Sequence, residues 1–137
     1  AVLSASSNSY IDRNAKQGKK YTYKVRAYNS GIFGSFSSEK KVYRLKTLTN
    51  IRVKNTSGRR AAVLWKKKTY ATTYQVKYAA NPSFNKARKV SANKKNSRLT
   101  TKKLKKKTYY FQIRYSYKKG GVKSWSAWSK VKKIKIR

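Results

Sequence analysis

The chain has no cysteine, no histidine and no methionine, and only two acidic residues, Asp12 and Glu39. Without cysteine there is no disulfide framework and no thiol chemistry. Small secreted eukaryotic domains are commonly stapled by disulfides, so this absence favours a bacterial source. Without His or Cys, and with two isolated carboxylates, a transition-metal site has no ligand set, and no metal or cofactor is expected. Acid–base catalysis by paired carboxylates needs both acids at one substrate. Asp12 instead stands where a turn residue caps backbone N–H groups, and Glu39 stands at the start of a strand. A serine nucleophile has no histidine base. No catalytic residue and no enzymatic activity are therefore expected. No run of about 18 apolar residues occurs, so no membrane span is expected. A single proline and six glycines exclude a collagen-like chain or a flexible linker. Methionine is missing even from position 1, which points to a processed product or a piece of a longer chain.

What is present is cationic and aromatic. Lys and Arg total 38 for a formal net charge of +36, and residues 51–137 contain no acid at all. A folded body with that self-repulsion implies polyanions or high salt around it. Nucleic acid, cell-wall polymer of the teichoic-acid kind, sulfated glycan and anionic membrane all meet the requirement, and charge alone does not choose among them. The composition is still 38% hydrophobic, so the chain can build a core. Its aromatics are mostly tyrosine, 12 against 4 Phe and 3 Trp, which suits half-buried sheet surfaces.

One stretch organises the pattern. In Lys105–Ser129, Tyr109, Phe111, Ile113 and Tyr115 alternate with Tyr110, Gln112, Arg114 and Ser116 at the period of a strand. The strand ends at Lys118-Lys119-Gly120-Gly121, a hairpin turn, and the chain returns through Trp125-Ser126-Ala127-Trp128-Ser129 into Val131–Ile136. An earlier copy spans Gly18–Val42: Tyr21–Arg26 aligns with Tyr109–Arg114, and Phe33-Gly34-Ser35-Phe36-Ser37 aligns with Trp125–Ser129. The second copy is four residues longer at its hairpin tip. Short alternating runs separated by turn clusters at Asn55–Arg60, Asn81–Asn85, Asn93–Ser97 and Lys118–Gly121 predict an all-β sandwich, and no window carries a helical stripe.

The second copy resembles a fibronectin type III domain. The resemblance rests on Leu48–Val53 as strand A, Ala61–Trp65 as strand B with its tryptophan, and Tyr74–Tyr78 as strand C. Ala87–Val90 stands as C′, Arg98–Thr100 as E, and Leu104 with Tyr109 as the leucine and tyrosine-corner pair before strand F. Tyr21–Tyr28 is similar to the repeats of secreted or surface proteins of Gram-positive gut bacteria. The resemblance implies an all-β, immunoglobulin-like fibronectin type III β-sandwich over residues 46–137, preceded by the C-terminal half (strands E, F and G) of a second such module over 1–45. It also implies a secreted or cell-surface location. A half sandwich exposes an apolar sheet face, penalised at about 25 cal/mol per Å². Residues 1–45 must therefore pack on the second domain, pair with another chain, or stay partly disordered; edge-to-edge pairing, including a homodimer, ranks first.

Trp125, Ser126, Trp128 and Ser129 resemble the WSxWS element of cytokine-receptor fibronectin type III domains. That resemblance implies tryptophans interleaved with a strand-F cation, here Arg114, with Lys130 and Lys132 extending the stack. Phe33 and Phe36 read as aromatic bulk without special chemistry. The outward face of the C–C′–F–G sheet is the expected binding surface, offering Gln75, Lys77, Arg88, Tyr110, Gln112 and Arg114 beside Trp125, Trp128 and Lys130. Cations mixed with aromatics suit polyanion binding, with charge tracking a backbone and rings stacking on bases or sugars. Three functions follow as expectations. The first is a non-enzymatic module adhering to wall polymer, sulfated glycan or nucleic acid by charge. The second is a proteolytically released, diffusible signal on a host receptor protein, with an irisin-like architecture. The third is a passive spacer.

Overall fold

A computed structural model describes residues 1–137, in which twelve strands and no helix form. The strands are β1 (Lys20–Tyr23), β2 (Tyr28–Asn29), β3 (Ile32–Phe33), β4 (Lys40–Tyr43), β5 (Arg52–Thr56), β6 (Arg60–Leu64), β7 (Thr73–Ala79), β8 (Arg88–Asn93), β9 (Arg98–Thr100), β10 (Thr108–Lys119), β11 (Val122–Trp125) and β12 (Lys132–Lys135). One antiparallel sheet has the order β5-β6-β9; the other has the order β11-β10-β7-β8, with β12 pairing the other end of β10. The two sheets enclose the core. Phe111, Ile113 and Tyr115 of β10 meet Val76 of β7, and Val63, Trp65 and Leu99 close the cluster from the first sheet. The period-2 pattern of β10 is the reason: its apolar set falls on one side of the pleat, and Tyr110, Gln112 and Arg114 fall half-buried on the other.

The tip of this hairpin is a two-residue turn. Lys119 stands opposite Val122, and Gly120 and Gly121 both take positive φ (54° and 75°), the geometry that matches the twist of the flanking strands. The tyrosine corner is only partly built. Leu104 is buried and its N–H donates to the Arg59 carbonyl at 2.8 Å, whereas the Tyr109 ring packs against the edge of the core. Tyr115 supplies the longer anchor, donating its hydroxyl to the Lys46 carbonyl at 2.9 Å.

Residues 18–44 form the smaller hairpin, β1 with β4 and β2 with β3. It meets the sandwich edge-on: the Tyr43 N–H donates to Ser124 Oγ at 2.8 Å, and the Tyr43 and Tyr117 rings pack edge-to-face at 5.0 Å. Its face stays open. Val25 is 72% exposed, whereas Ile113, its counterpart in the second copy, is fully buried. Tyr21, Tyr23, Val25 and Val42 line a groove of about 1230 Å³ together with the first residues of the chain. The two acids are both used locally. Asp12 Oδ1 accepts from the Asn14 and Ala15 N–H groups at 2.9 and 3.1 Å, and Oδ2 accepts from the Tyr23 hydroxyl. Glu39 bridges Lys24 and Lys41 at 3.3 and 3.1 Å.

Candidate functional site

The segment after β11 departs from a regular strand. Ser126 N–H donates to the Tyr115 carbonyl and Ser129 N–H to the Ile113 carbonyl, each at 2.9 Å. Three residues of the last strand thus span two of β10, a β-bulge, and a second follows because Lys132 stands opposite Phe111. The serine side chains repair the ladder. Ser126 Oγ accepts from Tyr115 N–H at 3.2 Å and Ser129 Oγ accepts from Ile113 N–H at 3.1 Å. Each hydroxyl donates onward, to the carbonyls of Ala127 and Lys130. The extra residue has a geometric consequence. Residues three apart in a flat strand point to opposite faces, but here Trp125 and Trp128 come to the same face, on either side of Arg114.

The Arg114 guanidinium lies 4.4 Å from the ring centroids of both Trp125 and Trp128. Its Nε and Nη2 donate to Gln75 Oε1 at 3.0 and 2.7 Å, a pairing set by the register of Arg114 with Gln75. Lys77 covers the other side of Trp128 at 4.5 Å and reaches the Phe84 ring at 4.4 Å; Lys123 lies 5.2 Å from Trp125. The order along the face is Lys123, Trp125, Arg114, Trp128, Lys77, Phe84. Burial, then the nearby Lys89 and Arg114, holds the Lys77 ammonium below the usual lysine range, and burial lowers the Arg114 guanidinium from its own. Both indoles therefore already carry cations against their π faces. Two cations over each ring compete with the stacking of bases or sugars there. The surface offers positive charge.

The first hairpin repeats this construction. Gly34 N–H donates to the Ala27 carbonyl, Ser37 N–H to the Val25 carbonyl, and Val25 N–H to Ser37 Oγ at 3.1 Å. The second bulge is there too, since Lys40 stands opposite Tyr23. Arg26 lies 3.8 Å from the Phe33 ring and 4.6 Å from the Phe36 ring. Phe33 and Phe36 are thus not plain aromatic bulk; they clamp an arginine as Trp125 and Trp128 do.

Of the residues expected at the site, Lys77, Gln112, Arg114, Trp125 and Trp128 come together, with Gln112 Nε2 donating to the Ser129 carbonyl at 2.7 Å. Tyr110 lies on the same face, between Ala79 and Lys133. Arg88 does not. It stands opposite the inward-facing Tyr78, and Lys89 takes the outward place opposite Lys77. Lys130 is exposed and joins no ring, and Lys132 falls opposite the inward Phe111, because the bulges reset the alternation. The cations that extend the stack are Lys77 and Lys123. Lys123 was readable from its position two residues before Trp125 on one strand.

Neither a family model nor a curated protein sequence matches the chain. Solved structures do match its shape. The fn3 domain of human contactin 1 aligns over 100% of this chain and 93% of its own, with 12% identity and a TM-score of 0.59. A segment of two fibronectin type III domains from chicken tenascin aligns over 87% of this chain, with 17% identity and a TM-score of 0.58. The FN1–FN3 domains of chicken CNTN1 align over 93%, with 22% identity and a TM-score of 0.56. The chain spans 66% of the tenascin segment and 44% of the CNTN1 chain. Sequence identity this low carries no function across, but the architecture is common to all three: the chain has the fibronectin type III β-sandwich fold.

Proposed function

We propose that the chain is a non-enzymatic adhesion module of a secreted or cell-surface bacterial protein, holding phosphate- or sulfate-bearing polymers by charge. One observation carries the reading. Both ion pairs of the chain share Glu39, so the cations of residues 46–137 have no protein counter-ion. Neutralisation must come from outside, and a polyanion that releases many small ions on binding supplies it with a favourable entropy. Lysines in loops, such as Lys66–Lys68 and Lys105–Lys107, give attraction without geometric selection, so low sequence specificity is part of the proposal. Pairing of two copies through residues 1–45 belongs to the same reading, because a dimer presents two such surfaces to one polymer.

The test is retention on immobilised heparin, duplex DNA and wall polymer across a salt series. Affinity is expected to fall steeply between ~50 and 200 mM salt, with a linear slope of log affinity against log salt. Binding that does not respond to salt refutes the proposal. A second reading, a passive spacer, is favoured by the clamped indoles, whose π faces are already occupied. Absence of retention on all three polymers at low salt selects it.

A further inference from the structure

Arg88, displaced from the ladder face, lies in a concavity at the opposite side of the sheet. The hollow has a volume of about 290 Å³, and Lys86, Arg88, Lys103 and Lys105 line it together with Leu104 and Tyr109. No acidic residue lies anywhere in this part of the chain, so the four cations line the hollow without a carboxylate side chain beside them. Their backbone is fixed. Asn81 Oδ1 accepts from Asn85 N–H at 2.9 Å, and Asn81 Nδ2 donates to the Asn85 carbonyl at 3.0 Å, tying the turn that carries Lys86. Within that turn Phe84 and Lys86 both hold positive φ (58° and 52°), a conformation that is uncommon away from glycine and that collects at ligand clamps. On the other wall, the bond from Leu104 N–H to Arg59 pins the loop carrying Lys103 and Lys105.

We infer that this concavity binds one phosphate or sulfate monoester group carried on a small sugar or polyol unit. Arg88 supplies the fork that donates to two terminal oxygens of the phosphate or sulfate. Lys86, Lys103 and Lys105 neutralise the charge, and Tyr109 and Leu104 form the wall on which the carbon skeleton rests. The volume, at the small end for ligand pockets, matches a single unit. The inference rests on the polyanion reading and adds to it a discrete, saturable subsite where the rest of the surface is diffuse.

The experiment titrates the full chain with glucose 6-phosphate and, separately, glucose 6-sulfate at low salt, following backbone amide shifts. Saturable shifts confined to the turn around Lys86, to Arg88 and to Lys103–Tyr109 are expected with at least one ester, and the responding arm names the ester. The double variant Arg88→Gln/Lys105→Gln is expected to weaken binding about tenfold, equivalent to ~1.4 kcal/mol. Lys94→Gln/Lys95→Gln, with the same charge change in the turn after β8, is expected to change it less than about twofold, as exposed charges away from a site do. Thermal melts of both variants confirm the fold. Unsaturable shifts spread over the lysines, or equal losses in the two variants, overturn the subsite. If polymer retention persists in that case, the adhesion reading survives without it; if retention is absent too, both fall.

Discussion

Replacing Arg114 by leucine removes the centre of the cation–aromatic ladder while keeping an aliphatic body between the indoles. Two cation–π contacts at a partly exposed site contribute about 0.5–1 kcal/mol each. The paired hydrogen bonds from a charged guanidinium to Gln75 contribute roughly 1.5 kcal/mol more. Burial of the guanidinium, seen in its lowered pKa, offsets part of this. The expected loss is about 2 kcal/mol, or on the order of 10 °C in melting temperature for a domain of this size. Leucine also removes a positive charge from a self-repelling body, which works in the opposite direction. Arg114→Lys separates the two effects: it keeps the charge, but a single ammonium cannot span both indoles and Gln75, so about 1 kcal/mol is expected. Urea unfolding followed by far-UV circular dichroism reads both variants. The internal comparator is Arg26→Leu, which breaks the matching clamp on the open hairpin and is expected to shift the main transition by under about 0.5 kcal/mol. If Arg114→Leu costs no more than Arg26→Leu, the ladder is not holding the edge of the sandwich and the reasoning fails.

Ser129→Ala leaves the Ile113 N–H without its acceptor in the buried sheet, and a loss of about 1–3 kcal/mol is expected in the same assay. Gly121→Ala forces a β-carbon onto a residue at φ 75°; a loss of roughly 1 kcal/mol is expected, with no clash, because nothing lies within 4 Å of the new atom. Burial raises the Tyr115 phenol above its ordinary value near 10, so the folded chain keeps a proton that the unfolded chain gives up. The stability due to Tyr115 is then complete below about pH 10 and declines as pH rises above it. Lys77, shifted the other way, contributes a rising component that ends near its ordinary value of 10.5. The change in urea midpoint above pH 10.5 is expected to be more negative in the parent chain than in Tyr115→Phe; equal changes would exclude a Tyr115 contribution.

Much of the fold was legible because its determinants are local. The alternation of Tyr109–Ser116, the turn at Gly120-Gly121 and the capping role of Asp12 each need only a few neighbouring residues, and all three stand in the structure. Trp125 and Trp128 flank Arg114, and the bulge spacing and serine acceptors that place them are written in the segment itself. The face of β8 was misassigned although a signal existed. Arg88 shares parity with Val90 and Ala92, and Ala92 is buried, so the cation belongs on the inward side. Lys130 and Lys132 were misplaced for a different reason. Each bulge shifts the alternation by one residue, and the count of bulges depends on hydrogen bonds to β10 that no single segment encodes. The concavity lined by Lys86, Arg88, Lys103 and Lys105 joins a turn and a loop distant in sequence, so composition gave no hint of it.

The ladder also makes the protein an optical reporter of its own surface. Of the three tryptophans, Trp65 is buried against Tyr74 at 5.1 Å and sees no cation, whereas Trp125 and Trp128 are each flanked by two. An indole's emission responds to charge held against its ring. A polymer that draws Lys123 or Lys77 away from its ring alters the light from two tryptophans and leaves the third as a built-in reference.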